Sequence, residues 1–343
     1  ARNLYQQGLH DSLLVAHELG LIVYRFPLDR RLLWMEALRS PESCRKFLEQ
    51  IRISAPGAEA ALNWTVLRYK PERRCVTRIN MGDRRWLVKL YADDHAYSAA
   101  RAGSKVGAGG ALRTAEIAGW SRSARALAWH WACGRPLDEL PPGDEMTLRA
   151  YGAAGAALAD LHQRAARTPL RYDGRAEQNA LRCAARAVAA LAPDEARRVA
   201  RLAQRMETQL AAIPDAPALI HGDFSPDQLL VDGTDAGRLR ITLLDLDRMG
   251  AGHPAADWGA LHAWLQRSVD DGPCTPCAAE DALQAFADGY GSRGVPPARD
   301  TVRLHTAMRL LRLAPEAFRE RKMNWRATIS DSLQHIEEVL DVD

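Results

Sequence analysis

The residues best suited to chemistry sit in one polar cluster between apolar runs. Ala218-Leu219-Ile220 leads into His221-Gly222-Asp223-Phe224-Ser225-Pro226-Asp227-Gln228, and Leu229-Leu230-Val231 follows. Past a turn at Asp232-Gly233, Ile241-Thr242-Leu243-Leu244 delivers Asp245, with Asp247 expected on the same face of an extended chain. The pattern predicts a β-hairpin with carboxylates at both ends. Like charges repel and their burial is costly, so such a grouping needs a physical reason. A divalent cation supplies one, because Mg²⁺ takes a few protein oxygens and leaves the rest of its shell to phosphates. A carboxylate outside that shell can orient a hydroxyl and accept its proton. Phosphoryl transfer needs little more than positioning and charge neutralisation.

Elements on both sides must hold this cluster. Short apolar or alternating runs at 66–69, 75–79 and 86–91 are broken by Lys70-Pro71-Glu72-Arg73 and by Met81-Gly82-Asp83. They predict an antiparallel meander of three strands. Lys89 stands on the third strand between apolar neighbours, where a charge needs a partner. A Gly-rich loop is expected at 103–110, and an apolar run at 126–131 meets the turn Gly134-Arg135-Pro136. From Asp144 the period changes. Leu148, Tyr151, Ala154, Leu158 and Leu161 recur at three- and four-residue spacing, which predicts an amphipathic helix. Further helices are expected at about 176–191, 194–212, 279–290, 298–313 and 324–340. The first 58 residues mix a helical start, the apolar run Leu21-Ile22-Val23-Tyr24 and a helix near 42–51. The expected organisation is therefore α+β and two-lobed: an N-terminal extension over 1–58, a small β-rich N-lobe over 59–131 and a larger helical C-lobe over 132–343. Proteins of this order take their ligand between the lobes.

Bulk properties narrow the partners. A net charge of +3 on 343 residues is too small for a nucleic-acid-binding face, and suits a small anionic ligand such as a nucleotide. No apolar window is long enough for a membrane span. The start, Ala1-Arg2-Asn3-Leu4, does not read as a signal peptide. Six scattered cysteines read as reduced thiols, so a cytoplasmic location is expected. Cys274 and Cys277 form a lone CxxC, with no second CxxC or HxxxH to complete a zinc site, and read as part of a loop.

The segment His221-Gly222-Asp223, with an amide residue five places after the Asp, resembles the catalytic loop of the aminoglycoside phosphotransferase and choline kinase-like superfamily. Leu244-Asp245-Leu246-Asp247-Arg248-Met249-Gly250, with Asp257 twelve residues after Asp245, resembles the second signature of the same group. Two separated motifs in the right order make the likeness specific, and it extends more loosely from Trp64 to the C-terminus. It implies a protein-kinase-like fold and transfer of the γ-phosphoryl group of ATP, with Mg²⁺, to a hydroxyl of a small molecule. By resemblance Asp223 is the catalytic base or hydroxyl orienter, and Gln228 and Asp245 are metal ligands with Asp247 as a further candidate. His221 and Asp257 brace the loops. Lys89 holds the α- and β-phosphates. Arg73, in the turn standing where the phosphate-covering loop belongs, either touches phosphate or is a solvated turn residue. Trp131, at the expected hinge, is placed for adenine.

Three features depart from the pattern. Gln228 replaces the commoner Asn. With Arg68-Tyr69-Lys70-Pro71 and Arg73-Arg74-Cys75, it is similar to a maltokinase-like branch and points towards a sugar or polyol acceptor. No Glu lies between Tyr91 and Gly110, where the acids are only Asp93 and Asp94, and Glu116 comes later. That leaves open a degenerate kinase fold that binds nucleotide or metabolite without turnover. The segments 303–312 and 318–326 are rich in Arg and Lys, as a solvated basic face or an anion-binding pocket would be. Either argues gently against a polycationic aminoglycoside. A choline-type acceptor is a further alternative, and HGD in place of HRD argues against a protein kinase.

Overall fold

Strand-forming alternation dominates the first third of the chain, and helical periodicity dominates the rest. The computed structural model describes residues 13–54, 60–107, 109–166, 168–233 and 239–341. In chain order the elements are β1 (Leu13–Ala16), β2 (Leu21–Tyr24), α1 (Pro41–Gln50), β3 (Leu62–Lys70), β4 (Arg74–Met81), β5 (Arg84–Tyr91) and α2 (Asp94–Gly103). Next come β6 (Leu112–Thr114), β7 (Ile117–Ser121), β8 (Ala126–His130), β9 (Arg135–Pro136), α3 (Glu145–His162), β10 (Arg171–Tyr172), α4 (Gly174–Leu191), α5 (Ala196–Ala211) and β11 (Ala218–Ile220). The chain ends with β12 (Leu229–Gly233), β13 (Leu239–Leu243), β14 (Gly250–Gly252), α6 (Ala255–Asp270), α7 (Pro276–Gly291), α8 (Arg299–Leu313), α9 (Glu316–Arg319) and α10 (Trp325–Asp341). The helical start expected in the first residues lies outside the described residues. The structure divides into two compact units: the chain up to Lys105 with Ala115–Ala132, and Val106–Thr114 with the chain from Cys133 onward.

In the first unit the expected meander is present. β3, β4 and β5 pair antiparallel, and β8 and β7 extend the sheet in the order β3-β4-β5-β8-β7. Strict alternation along β4 buries Cys75, Thr77, Ile79 and Met81. Ile79 and Met81, with Trp86 and Val88 of β5, share one core with Leu32, Met35, Phe47, Leu48 and Ile51. Part of the 1–58 segment thus contributes core residues to this sheet. α1 starts where Ser40 accepts the Ser43 N–H at 3.1 Å ahead of Pro41, an N-cap worth about 1 kcal/mol. A second cluster joins Tyr91, Tyr97, Ala100, Leu127 and Trp129, so α2 packs close to β5 and β8. Asp93, one of the two acids noted above, caps α2 by accepting the Ala96 N–H.

The second unit is mainly helical, as its periodicity predicts. α3 starts at the Asp144 cap and packs along α7. These helices meet at glycines: a Cβ on Gly155 would lie 2.1 Å from the Phe286 carbonyl oxygen, so any side chain there forces them apart. α3 and α7 share a core with Leu219, Phe224, Leu243, Met249 and Trp258. α4, α5, α8 and α10 enclose another, around Leu181, Met206, Leu304, Leu311 and Leu333. Two small sheets, β10-β14-β11 and β6-β13-β12-β9, carry the polar cluster.

Two local expectations change, and a third is extended. Asp232 and Gly233 are not a turn: β12 pairs with β13 through Asp232↔Arg240 and Gly233↔Leu239, and residues 234–238 beyond them lie outside the described residues. The Gly-rich stretch runs straight into β6, which pairs parallel with β13. Cys277 lies in the first turn of α7, whose cap is Thr275, while Cys274 is buried just before it. No helix among the described residues is long and apolar enough to cross a membrane.

Candidate active site

The polar cluster is built on the end of the β12–β13 hairpin. Leu229 pairs with Leu243, so Gln228 stands beside Leu244, whose N–H donates to the Gln228 carbonyl at 2.8 Å. The His221 ring Nε2 lies 2.8 Å from the Leu244 carbonyl oxygen. These main-chain ties bring His221, Gln228 and the start of the Asp245 segment to one end of the hairpin.

Asp257, in the first turn of α6, organises the loop before the hairpin. It is fully buried and accepts the His221 N–H at 2.7 Å and the Gly222 N–H at 2.8 Å. Its Oδ2 also lies 3.1 Å from His162 Nε2, and Nδ1 of that ring is 2.9 Å from the Tyr290 hydroxyl. A buried carboxylate is tolerable when its oxygens are saturated in this way. Gly222 has φ +77°, and a Cβ there would fall 2.3 Å from the Arg248 carbonyl oxygen. Only glycine fits that backbone and that approach.

Asp223 follows and is partly exposed. Arg309 of α8 donates Nη2 to its Oδ1 at 2.5 Å, and Arg248 Nη1 lies 3.6 Å from its Oδ2. Burial pushes the Asp223 pKa up, but Arg309, Arg248 and the Arg309 hydrogen bond outweigh it and hold the carboxyl below its ordinary value. Asp223 is therefore ionised at neutral pH.

Asp245 sits at φ +51°, and the next three residues form a turn of 3₁₀ helix. The chain is thus not extended from Asp245 to Asp247, and the same-face argument for Asp247 does not hold. Left-handed backbone at a non-glycine residue costs of order 1 kcal/mol and often marks a functional position. Gln228 donates Nε2 to Asp227 at 2.7 Å, so the amide nitrogen is engaged within the loop. The donor set of Gln228, Asp245 and Asp247 is all oxygen, which suits a hard cation such as Mg²⁺ or Ca²⁺. Among the described residues no group of three or more His, Cys, Asp or Glu is arranged to hold a metal unaided. A cation at Gln228 and Asp245 would complete its shell with phosphate oxygens and water.

The nucleotide candidates lie in the first unit. Lys89 is buried on β5 between β4 and β8, with Nζ 5.4 Å from the Trp129 ring centroid. Arg73 is exposed in the β3–β4 turn, where Asp29 accepts the N–H of Glu72. The Trp131 N–H donates to the Arg85 carbonyl, and its ring is flanked by the guanidiniums of Arg78 and Arg85.

Sequence reasoning did not single out Arg248, Arg309, His162 or Tyr290. Arg309 belonged to a basic stretch with two open readings. Its contact with Asp223 spans 86 residues and depends on how α8 packs.

The model of the phosphotransferase enzyme family matches residues 60–305. No match is found among curated protein sequences. Among solved structures, amicoumacin kinase in complex with AMP-PNP, Ca²⁺ and Ami superposes with a TM-score of 0.63 at 13% identity, covering 90% of this chain and 97% of that one. An aminoglycoside phosphotransferase in ternary complex with ADP and hygromycin B gives 0.60 at 14% identity, covering 87% and 99%. A choline/ethanolamine kinase family protein from Mesorhizobium loti gives 0.54 at 18% identity, covering 90% and 94%. At these identities the likeness is one of fold, and that fold is the α+β, protein-kinase-like one expected from the sequence.

Proposed function

The chain belongs to the phosphotransferase enzyme family, and from that premise we propose that it transfers the γ-phosphoryl group of ATP, with Mg²⁺, to a hydroxyl of a small molecule, a sugar or related polyol. The observation that carries this reading is the loop itself: Asp223 stands ionised at the end of a segment whose backbone Asp257 fixes.

In this reading the acceptor hydroxyl donates to the Asp223 carboxylate. Its oxygen forms the new P–O bond, the bond from the γ-phosphorus to the β,γ-bridging oxygen breaks, and ADP leaves with that electron pair. The hydroxyl proton passes to Asp223. A carboxylate of lowered pKa is a weak base, but a loose phosphoryl transfer asks mainly for orientation. Gln228 and Asp245 are the proposed metal ligands, with Asp247 a candidate third. The cation would neutralise phosphate charge. Lys89 is the proposed contact of the α- and β-phosphates, with Arg73 and the Trp131 backbone as further nucleotide candidates. His221 and Asp257 support the loop without touching substrate. A relative that holds both a nucleotide analogue and Ca²⁺ supports a divalent cation here.

The test is a nucleotide-consumption screen with Mg²⁺ against sugars, polyols, amino alcohols, choline and aminoglycosides. Asp223→Asn should lower transfer by about 10²–10⁴-fold while ATP binding persists. Full turnover in that variant would overturn the assignment. Nucleotide binding with no turnover on any acceptor would favour a non-catalytic kinase fold instead.

A further inference from the structure

Asp223 is occupied. Arg309 and Arg248 both reach it, and Arg312, one turn beyond Arg309 on α8, pairs with the buried Glu177 of α4. Two guanidiniums thus converge on the single carboxylate of the proposed base. The Arg309 Nε is buried and finds no hydrogen-bond acceptor. A guanidinium presents five N–H donors in a planar fork, and a buried donor left unmade costs about 1–3 kcal/mol. The position is therefore short of acceptor atoms.

For a neutral acceptor this arrangement is a handicap. Each N–H that Asp223 accepts uses a lone pair that a substrate hydroxyl needs. For a polycation it is worse, because two guanidiniums within a few ångströms of the transfer site repel it. An anionic group next to the hydroxyl removes both difficulties. It supplies the missing acceptors, binds the fork in bidentate fashion and draws Arg309 off Asp223, which is then free for the hydroxyl.

We propose that the acceptor is a hydroxylated anion, carrying a carboxylate or a phosphate monoester that Arg309 and Arg248 bind beside its reactive hydroxyl. Only the role of Asp223 as the transfer site rests on the phosphotransferase reading. Arg309 and Arg248 are then specificity-determining residues, and Asp223 serves as a stand-in for the substrate anion in the ligand-free protein.

The experiment uses matched probes on two carbon frameworks: gluconate, glucose 6-phosphate, glucose and glucosamine, and glycerate, glycerol 3-phosphate, glycerol and serinol. Binding is measured by calorimetry on the whole chain, and ATP consumption is measured in parallel. At least one anionic probe should bind tenfold or more tightly than its neutral and cationic counterparts. The carboxylate and phosphate arms show which anion is preferred. Arg309→Gln should abolish that preference, Arg309→Lys should restore part of it, and Arg248→Gln should weaken it. In turnover Arg309→Gln should raise KM for the anionic acceptor and lower it for neutral ones, because Asp223 loses a competing donor. A melting curve on each variant checks folding, and the largely exposed Arg248 supplies a readout if Arg309→Gln is unstable. Equal or better binding of the neutral or cationic probes, or no binding of any anion, overturns the inference while leaving the transfer reading intact. Arg309-dependent anion binding without turnover on any acceptor supports the anion site and favours the non-catalytic kinase fold over the transfer reading.

Discussion

Asp257 and Asp223 lie on either side of the same short backbone, yet they are built for opposite purposes. Asp257 has no exposed surface, and its partners are two backbone N–H groups and a buried histidine ring, all held by packed elements. Asp223 is partly exposed, and its partners are the ends of two long arginine side chains. Backbone donors cannot leave without unfolding the loop, whereas guanidiniums can swing away at the cost of a rotamer change. The first carboxylate fixes geometry and the second stays exchangeable. A loop that must be rigid in its path and replaceable in its contacts needs both.

The sharpest way to break this contrast is Asp257→Ala. It strands the His221 and Gly222 N–H groups and the His162 Nε2, each costing about 1–3 kcal/mol, so a loss of about 3–9 kcal/mol in unfolding free energy is expected. Urea denaturation should show it as a fall in midpoint with the slope unchanged. A loss under about 1 kcal/mol would mean that the loop is not held as described. Gly222→Ala probes the same brace from the other side. The left-handed backbone and the approach to the Arg248 carbonyl predict a loss of about 2–4 kcal/mol, and displacement of the Arg248 segment should lower turnover as well. An alanine variant as stable and active as the parent would show that this approach is not needed.

What the sequence revealed of this contrast follows the range of each interaction. The placement of Asp223, Gln228 and Asp245 near one hairpin was legible because hairpin pairing is local and its ends are marked by a switch from apolar to polar residues, whereas Gln228 was singled out only by the family resemblance. Lys89 stood out because a charge inside an apolar strand is rare. The meander and the long helices were legible from period alone. Asp247 was misjudged in its geometry because nothing in Leu244-Asp245-Leu246 announces a left-handed residue, as a glycine would have done. β6 was hidden because its partner is a parallel strand far along the chain and its neighbours are glycines. Helix α6, which carries Asp257, was missed although Pro254 stands at its start. Arg309 could be seen only as one of several arginines, since a sequence period cannot say which of them meets a carboxylate on a distant loop.

A smaller effect reads the Asp223 contacts by pH. The folded-state pKa of Asp223 lies below its ordinary 3.8, because Arg309 and Arg248 overcome its burial. A depressed carboxylate pKa contributes stability that is present above the unfolded value and lost as pH falls through the folded one. Ionisation of Asp223 should therefore add no acid limb to activity between pH 7 and 5. In Arg309→Gln much of the lowering disappears while burial remains, so the Asp223 titration should move to higher pH. Each unit of movement corresponds to about 1.4 kcal/mol. Carboxyl chemical shifts followed by NMR would read it directly, and a titration that stays in place would show that Arg309 is not close to Asp223 in solution.

The smallest expected effect is the one that completes the comparison. Asp223→Asn removes a carboxylate from two guanidiniums, and a fully buried pair would lose several kcal/mol. Here the Asp223 side chain is 29% exposed, and those of Arg309 and Arg248 are 20% and 57% exposed. Water can therefore resolvate what the substitution uncovers, and the asparagine oxygen still accepts from Arg309. The change in unfolding free energy should stay within about 1 kcal/mol. Paired with Asp257→Ala in the same denaturation series, it separates stability from chemistry along one loop: the residue whose loss unfolds the segment is not the residue whose loss stops transfer. If Asp223→Asn instead cost as much as Asp257→Ala, the Asp223–Arg309 contact would be a structural brace, and an arginine released by an incoming anion would no longer describe it.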